Sequence, residues 1–256
     1  MIAGALLAAV VAGAAWRFRA LDAGGAIAAF VVGTCTFGAG GVGGAAILLG
    51  FFISSVVLTR VGRSKKRGLV DIGKGGPRDA MQVVANGGVA TVCVVLAPML
   101  GHAWMLAFAG AYAAATADTW GTEIGTLVSA LPRSLIGARA VATGLSGGRT
   151  LAGTAAEVAG AFFIAIVAAA GAVASDARSV AVIAAAGVVG AIADSALGAT
   201  VQERRWCAAC GRVCENNPHG CGAATVHRGG VSWITNDVVN LLATLVGAAV
   251  AFALAR

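Results

Sequence analysis

Charged residues are scarce in this chain: they make up 11% of its 256 residues, against about 25% in an average soluble domain. Hydrophobic residues make up 59%, which excludes an ordinary soluble globular protein. The chain also lacks a basic face with interleaved aromatic residues, so nucleic acid is not an expected partner. It turns apolar at Ile2 without a basic leader, so we do not expect a cleaved secretory signal. These absences leave a polytopic membrane protein, whose surroundings are the lipid bilayer.

The apolar runs predict an all-α, polytopic transmembrane bundle of about seven to eight spans, forming a single integral membrane domain over residues 1–256. A transmembrane helix needs ~20 apolar residues. The runs near this length are 2–15, 24–38, 43–60, 80–99, 103–129, 152–173, 180–201 and 231–255. The first two are short enough to be tilted or only partly inserted. Most of the 38 glycines indicate close helix packing, because small residues let membrane helices approach each other.

Loop charge predicts the orientation of the spans. Three connecting segments are rich in arginine and lysine, namely 60–79, 130–151 and 202–230. The alternate segments, 98–103 and 174–179, contain a single arginine, Arg178, and no lysine. Because basic loops stay on the cytoplasmic side, all three basic segments are predicted to be cytoplasmic. We expect a multi-pass protein of the cell (inner or plasma) membrane whose active site faces the cytoplasm.

Five carboxylates lie inside or at the edge of the apolar runs: Asp118, Glu123, Glu157, Asp194 and Asp237. A carboxylate at the centre of a membrane helix costs ~2.5–3.5 kcal/mol on insertion scales, so such a residue marks a functional site by default. With the predicted orientation, these residues and the polar side chains of Asn86, Gln202, Asn236 and Asn240 converge on the cytoplasmic leaflet from five helices. Polar residues with separate packing roles would not be expected to converge.

The segment Asp118 to Glu123 is a candidate Mg²⁺ site. Carboxylates are the ligands that Mg²⁺ takes together with substrate phosphates. Glu123 lies about 140° around an ideal helix from Asp118, so both can share one ion only in a wide site or on a distorted helix. The structural alternative is that these side chains make polar hydrogen bonds between helices.

Two further clusters contribute to the same predicted site. One contains Asp194, Ser195 and Gln202, and the other contains Asn236, Asp237 and Asn240. We predict Asp118, Glu123, Asp194 and Asp237 as catalytic Mg²⁺ ligands, with polar substrate-positioning groups at Asn86, Thr119, Ser195, Gln202, Asn236 and Asn240. The alternative for these polar groups is helix–helix hydrogen bonding, worth only ~0.6–2 kcal/mol.

Two segments resemble phosphate-binding elements. Lys74 and Arg78 flank glycines at the start of a predicted helix, and Arg78, Gln82 and Asn86 fall on one helical face. The alternative for the two basic residues is a positive-inside anchor. The glycine-rich run from Gly144 to Arg149 can offer backbone amides to phosphate, although it lacks the Gly-Lys-Ser/Thr ending of a P-loop. Glu157, which follows it, can equally be the ion-pair partner of a loop arginine.

Four of the six cysteines crowd the segment 202–230. Because that segment is predicted to face the reducing cytosol, a metal is more natural there than a disulfide. Cys207, Cys210 and Cys221 with either Cys214 or His219 would supply four Zn²⁺ ligands. The alternative is that free thiols pack the loop.

Taken together, five short motifs resemble a family of integral membrane proteins that includes the chloroplast phytyl-phosphate kinases. They are Gln82-Val83-Val84-Ala85-Asn86-Gly87, Ala117-Asp118-Thr119-Trp120 with Glu123-Ile124-Gly125, Pro132-Arg133, Asp194-Ser195 with Leu197-Gly198-Ala199-Thr200 and Gln202, and Asn236-Asp237-Val238-Val239-Asn240. The resemblance spans most of the chain. One departure is the glycine-rich run, where Leu145 and Ser146 stand in place of the Thr and Asn of many relatives.

The resemblance implies a membrane-embedded, Mg²⁺-dependent transferase. It would pass the γ-phosphoryl group of a nucleoside triphosphate, CTP or ATP, to an isoprenoid monophosphate. The basic residues fit this reaction, since Lys74, Arg78 and Arg133 would hold phosphate oxygens. Two alternatives stay open. A cytidylyltransferase would use the same metal site to make a CDP-linked lipid. A secondary transporter would use the intramembrane carboxylates for a coupling ion.

Overall fold

A computed structural model describes residues 2–61 and 76–256. Within these ranges the chain forms eight α-helices: α1 (Ile2–Arg17), α2 (Ala23–Ala39), α3 (Gly41–Val61), α4 (Ala80–Leu100), α5 (His102–Gly125), α6 (Leu151–Ala170), α7 (Ala177–Thr200) and α8 (Asn236–Leu254). The strands are short: β1 (Arg133–Ser134), β2 (Gly148–Arg149), β3 (Arg204–Cys207), β4 (Arg212–Cys214) and β5 (Val226–Gly229). The predicted all-α membrane class is confirmed.

Several helices begin at a side-chain cap, which satisfies backbone N–H groups that the first turn leaves without partners. The Asp22 carboxylate accepts from the Gly25 amide at 2.6 Å, and Asp176 accepts from the Ser179 amide at 2.7 Å. At the start of α4, Asp79 and Gln82 form a reciprocal capping box. The polar residues just outside these apolar runs therefore fix where the helices start.

Helix α5 is the centre of the bundle, since it packs against α3, α4, α6, α7 and α8. Its buried face is mostly alanine and glycine, which lets neighbouring backbones come close. Gly110 shows how close: a β-carbon there would lie 2.7 Å from the carbonyl oxygen of Gly247 in α8. The larger buried rings of Phe108 and Tyr112 pack edge to face, with centroids 5.2 Å apart.

The number of spans needs correction. Of the described helices, α3, α4, α6, α7 and α8 are long and apolar enough to cross a membrane by length and composition, which makes five rather than seven to eight. Helices α1 and α2 have 16 and 17 residues, which is short for a span. The central helix α5 is long enough, but its polar residues lower its hydropathy. Most of its middle part is buried by the surrounding helices. The end of the predicted span 103–129 also differs, because α5 ends at Gly125.

Two small antiparallel sheets lie in the segments that join the helices. Strands β1 and β2 pair within the α5–α6 connection, and β3 lies between β4 and β5 in the α7–α8 connection. The two ends of the α7–α8 connection are held together, since the Glu203 amide donates to Ile234 O at 2.8 Å and the Val231 amide donates to Val201 O at 2.9 Å. Both connections therefore lie at the bundle end where α5 and α7 finish.

Candidate functional site

A polar cavity of about 1000 Å³ opens at this end of the bundle. It lies where α3, α5 and α7 end and where α4, α6 and α8 begin, with the segments around 144–150 and 215–220 forming part of its wall. Eleven of the predicted site residues line it: Arg78, Gln82, Asn86, Asp118, Thr119, Glu123, Asp194, Ser195, Asn236, Asp237 and Asn240. The structure therefore brings these polar side chains together. Their roles stay predictions.

Asp118 of α5 and Asp194 of α7 form the acidic centre of the cavity. Their carboxyl groups lie within hydrogen-bond reach of each other. Asp194 is 8% exposed, and its Oδ2 atom is buried without a hydrogen-bond partner among the described residues. Two adjacent carboxylates repel unless a proton or a cation lies between them. Oxygen ligands of this kind are those that a hard divalent cation prefers.

An ion pair flanks this acidic centre. Arg149, just before α6, forms a salt bridge with Glu157 in the second turn of that helix, and their side chains are 14% and 10% exposed. Arg149 also acts electrostatically on Asp118. The sequence left Glu157 open between a site role and an ion pair with a loop arginine, and the structure shows the ion pair. Arg149 itself was missing from the predicted site residues.

Glu123 lies on a different wall of the cavity. Its Oε1 accepts a hydrogen bond of 2.6 Å from Thr59 Oγ1 of α3. Helix α5 runs as regular α-helix to Gly125, so no distortion rotates Glu123 toward Asp118. Asp118 consequently faces α7 while Glu123 faces α3. Asp237 is buried in the first turn of α8, where it forms another part of the lining.

Arg78 supplies positive charge where α4 begins. Its backbone is held by the α1–α2 connection, because Arg78 N donates to Ala20 O and Asp22 N donates to Arg78 O, both at 3.0 Å. Its guanidinium lies 5.9 Å from the ring centroid of Phe51. Burial lowers the pKa of Arg78 to about 10, so the group remains a cation at neutral pH. The predicted partner Lys74 lies outside the described residues.

A narrow apolar cleft adjoins the polar cavity through shared residues. It lies among α1, α2, α3 and α4, and its lining includes the side chains of Ala12, Val32, Leu48, Phe51 and Phe52. Arg78, Gln82 and Asn86 line both the cleft and the cavity. The cleft holds about 60 Å³, enough for a handful of methylene-sized groups. An amphiphile could therefore place its charged head in the cavity and the start of its tail in the cleft.

The glycine-rich run is held in place by Glu215. Both the amide and the hydroxyl of Ser146 donate to the Glu215 carboxylate at 2.8 Å. Gln202 Nε2 donates to Ser146 Oγ at 2.9 Å and to Glu215 at 2.8 Å. Gln202 is thus buried behind the wall instead of lining the cavity. Burial raises the pKa of Glu215. Glu215 was not among the predicted site residues, because it lies in a polar connecting segment, where a charged side chain carries no cost of membrane insertion.

Arg133 lies away from the cavity, although it was predicted to hold phosphate. It is an exposed residue of β1, and its guanidinium donates to Ala138 O at 3.0 Å. Its neighbour Pro132 lines the cavity instead. Arg60 lines the cavity too, with its guanidinium donating to Phe18 O at 2.8 Å. In the sequence, Arg60 counted only as one of the basic residues of the segment 60–79.

Four potential metal ligands gather in the α7–α8 connection: Cys207, Cys210, His219 and Cys221. Their ligand atoms all lie within 4.8 Å of one another. The sequence left Cys214 and His219 as alternatives for the fourth position. The structure places His219 in the cluster, whereas the buried Cys214 thiol lies 3.9 Å from Asn216 O. The hydrogen bond to His219 lowers the pKa of Cys221 to about 6.

Comparison with known proteins identifies the family. Residues 6–248 match the family described as integral membrane protein DUF92. The chain belongs to this family. A DUF92 relative, Protein PGR of Arabidopsis thaliana, is 34% identical over 96% of this chain and 92% of its own length. The resemblance found in the motifs is therefore confirmed at the level of the family, and the chain is a multi-pass integral membrane protein.

Two more distant relatives also cover most of the chain. An uncharacterized membrane protein of Methanocaldococcus jannaschii is 29% identical over 90% of this chain and 84% of its own length. Protein VTE6, chloroplastic, of Arabidopsis thaliana is 25% identical over 90% of this chain and 64% of its own length. No solved structure matches the chain significantly.

Proposed function

We propose that this protein is a membrane-embedded, Mg²⁺-dependent phosphotransferase. It would move the γ-phosphoryl group of a nucleoside triphosphate to an isoprenoid monophosphate and so form a lipid diphosphate. The observation that carries the proposal is the junction of a charged cavity with an apolar cleft at Arg78, Gln82 and Asn86. A substrate with a phosphate head and a hydrocarbon tail matches both halves. The family resemblance to chloroplast phytyl-phosphate kinases supports the same substrate class.

The acceptor would bind with its phosphate at Arg78. An arginine beside an apolar cleft can pair with phosphate oxygens in a fixed, forked geometry. The first carbons of the tail would lie against Phe51 and Phe52, and the remainder would extend toward lipid because the cleft is short. The capping box of Asp79 and Gln82 supports this site by fixing where α4 begins.

The acidic centre fits a magnesium ion. Asp118 and Asp194 would hold it, since the buried Oδ2 atom of Asp194 has no hydrogen-bond partner among the described residues. Glu123 and Asp237 line the same cavity and would contribute more oxygens or hold metal-bound water. When bound, the ion would neutralise charge that develops on the transferred phosphoryl group. Arg149 lines the same cavity and acts electrostatically on Asp118, so it would add positive charge near the transferred phosphoryl group.

No separate base is needed for this reaction. The attacking group is a phosphate oxygen that is already anionic, so catalysis depends on alignment and on neutralising charge. The acceptor oxygen forms a bond to the γ-phosphorus as the bond from that phosphorus to the β–γ bridging oxygen breaks. The nucleoside diphosphate leaves with the electron pair. The residues around the cavity therefore act by binding and orienting two phosphates.

The position of a radioactive label in the nucleotide tests the proposal. Purified protein in liposomes would receive Mg²⁺, γ-labelled or α-labelled CTP or ATP, and a panel of isoprenyl monophosphates. We expect γ-label in a lipid diphosphate, with its loss in Asp118→Asn. Label from the α-position in lipid would contradict the proposal and indicate a cytidylyltransferase. Absence of any labelled lipid with every pair would also contradict it, and ion-coupled uptake by the same liposomes would then indicate a transporter.

A further inference from the structure

We propose that the α7–α8 connection holds a structural Zn²⁺ ion, bound by Cys207, Cys210, His219 and Cys221, and that this ion fixes one wall of the polar cavity. The distances between ligand atoms support the site. Cys207 Sγ lies 3.7 Å from Cys221 Sγ, and His219 Nδ1 lies 3.5 Å from Cys210 Sγ and 3.0 Å from Cys221 Sγ. With Zn–S near 2.3 Å and Zn–N near 2.0–2.1 Å, tetrahedral ligands stand about 3.8 Å apart for two sulfurs and about 3.6 Å for sulfur and nitrogen.

The backbone presents these ligands from three places in the connection. Cys207 ends β3, Cys210 lies in the turn to β4, and His219 and Cys221 lie in the segment before β5. The second pair is brought back by a tight turn, since the Gly222 amide donates to His219 O at 2.7 Å. The fold thus brings residues up to fourteen positions apart to one point. Three thiolates and one imidazole are a ligand set that suits structural zinc.

A metal would supply cohesion that this segment otherwise lacks. Across residues 202–230 the buried hydrophobic side chains are Cys207 and Cys214 alone. The other buried residues there are polar: Gln202, Glu203, His219 and Thr225. A three-stranded sheet of such short strands cannot hold its shape by burying apolar area. In structural zinc sites the metal supplies this folding free energy.

The proposed ion would act on the cavity through the segment that it closes. Residues Glu215, Asn216, Asn217, Pro218 and Gly220 line the cavity, and they lie between β4 and the ligand Cys221. Glu215 in turn holds Ser146 of the glycine-rich run. Loss of the metal should free this segment and loosen the run that packs against it. The zinc site thereby couples an exposed loop to the wall of the candidate active site.

Metal content tests the ligand assignment without any reference to enzymatic activity. The full-length protein, purified without chelators, would be analysed for zinc by mass spectrometry. We expect about one zinc ion per chain, and less than about a tenth of that in Cys210→Ser and Cys221→Ser. The control Cys35→Ser, which changes a cysteine of α2, should keep its zinc. Cobalt exchanged into the wild-type protein should give the strong absorption of thiolate-bound Co²⁺. This measurement tests the site without any variant.

Proteolysis tests the effect on the cavity wall. Trypsin would be applied to the wild-type protein before and after a zinc chelator, and cleavage after Arg212 and Arg228 would be followed. We expect at least about tenfold faster cleavage after chelation, reversed by added Zn²⁺. A wild-type protein that contains no zinc, or serine variants that retain it, would overturn the site. Unchanged cleavage of zinc-depleted protein would overturn the coupling to the wall. None of these results depends on whether the protein transfers phosphate.

Discussion

At the scale of single residues, the ion pair of Arg149 and Glu157 is the most consequential contact beside the acidic centre. Both side chains are nearly buried. Replacing Arg149 by methionine leaves Glu157 without its cation next to Asp118, and breaking a buried pair costs about 3–5 kcal/mol. We expect Arg149→Met to lower the free energy of unfolding by about 3 kcal/mol. Reversible unfolding in mixed detergent micelles would measure this change.

The double variant Arg149→Met, Glu157→Leu is the matched control. It removes both charges together, so at least half of the lost stability should return. A double variant as unstable as the single one would show that Arg149 stabilises the fold through other contacts.

The raised pKa of Glu215 predicts how the stability of the fold changes with pH. Its folded pKa is raised by burial, so the stability that it contributes is complete below its ordinary pKa of 4.5 and is lost as the pH rises through the folded value. In Glu215→Gln this loss should be absent. The unfolding free energy of the wild type, taken relative to the variant, should therefore fall as the pH increases above about 4.5. Parallel unfolding curves at all pH values would contradict the burial of a charged Glu215.

At the scale of helices, the tight crossing of α5 and α8 depends on glycine. A β-carbon on Gly110 would lie 2.6 Å from Ala251 Cβ and 2.7 Å from Gly247 O. Neither atom belongs to a flexible side chain, so the helices must separate. We expect Gly110→Ala to destabilise the protein by about 1–3 kcal/mol, as overpacking usually does.

The matched control for this crossing is Gly13→Ala in α1. A β-carbon on Gly13 would meet nothing within 4 Å, so the variant should be neutral or slightly stabilising, because alanine favours helix. Thermal unfolding of both variants would compare them. Equal stability of the two would argue against the close approach of α5 and α8.

Gly25, at the start of α2, lies against the backbone of Arg78, although the two residues are far apart in the sequence. A β-carbon on Gly25 would collide with the carbonyl oxygen of Arg78. In Gly25→Ala the start of α4 should therefore shift, which moves the guanidinium away from the cavity. We expect a KM for the isoprenoid monophosphate raised about tenfold, since one charge-assisted hydrogen bond to phosphate is worth about 1.5–3 kcal/mol. Gly24→Ala, whose β-carbon meets its nearest atom at 3.5 Å, is the control.

At the scale of the whole molecule, loop charge and apolar runs together predicted that polar residues from separate helices would meet. Asp118, Asp194 and Asp237 do so, because alternating spans return the chain to the same end of the bundle. Helical periodicity placed Gln82 and Asn86 on one face of α4, and both line the cavity and the cleft. Arg78 was predicted on the same helical face, but it lies before α4 in a bridge to Leu21 and reaches the cavity and the cleft from there.

The rest of the site depends on connecting segments, whose shape no periodicity encodes. Arg149 and Glu215 reach the cavity through short strands and side-chain contacts. The sequence pattern pointed only to the backbone amides of the run that ends at Arg149, and Glu215 lies in a polar segment, so neither side chain was among the predicted site residues. Arg133 was selected from a motif, yet its strand turns it outward. The choice of His219 over Cys214 likewise needed the turn that brings His219 back to Cys207 and Cys221.

The most direct test of the central claim compares two aspartates of the same helix. Asp194 lies at the acidic centre, whereas Asp176 is the exposed N-cap residue at the opposite end of α7. Initial rates of γ-label transfer into isoprenyl diphosphate would be measured for Asp194→Asn and Asp176→Asn in liposomes. The account predicts a rate about 10²–10³-fold lower for Asp194→Asn, as for loss of a charge-stabilising group, and a wild-type rate for Asp176→Asn. Wild-type transfer by a folded Asp194→Asn protein would contradict it.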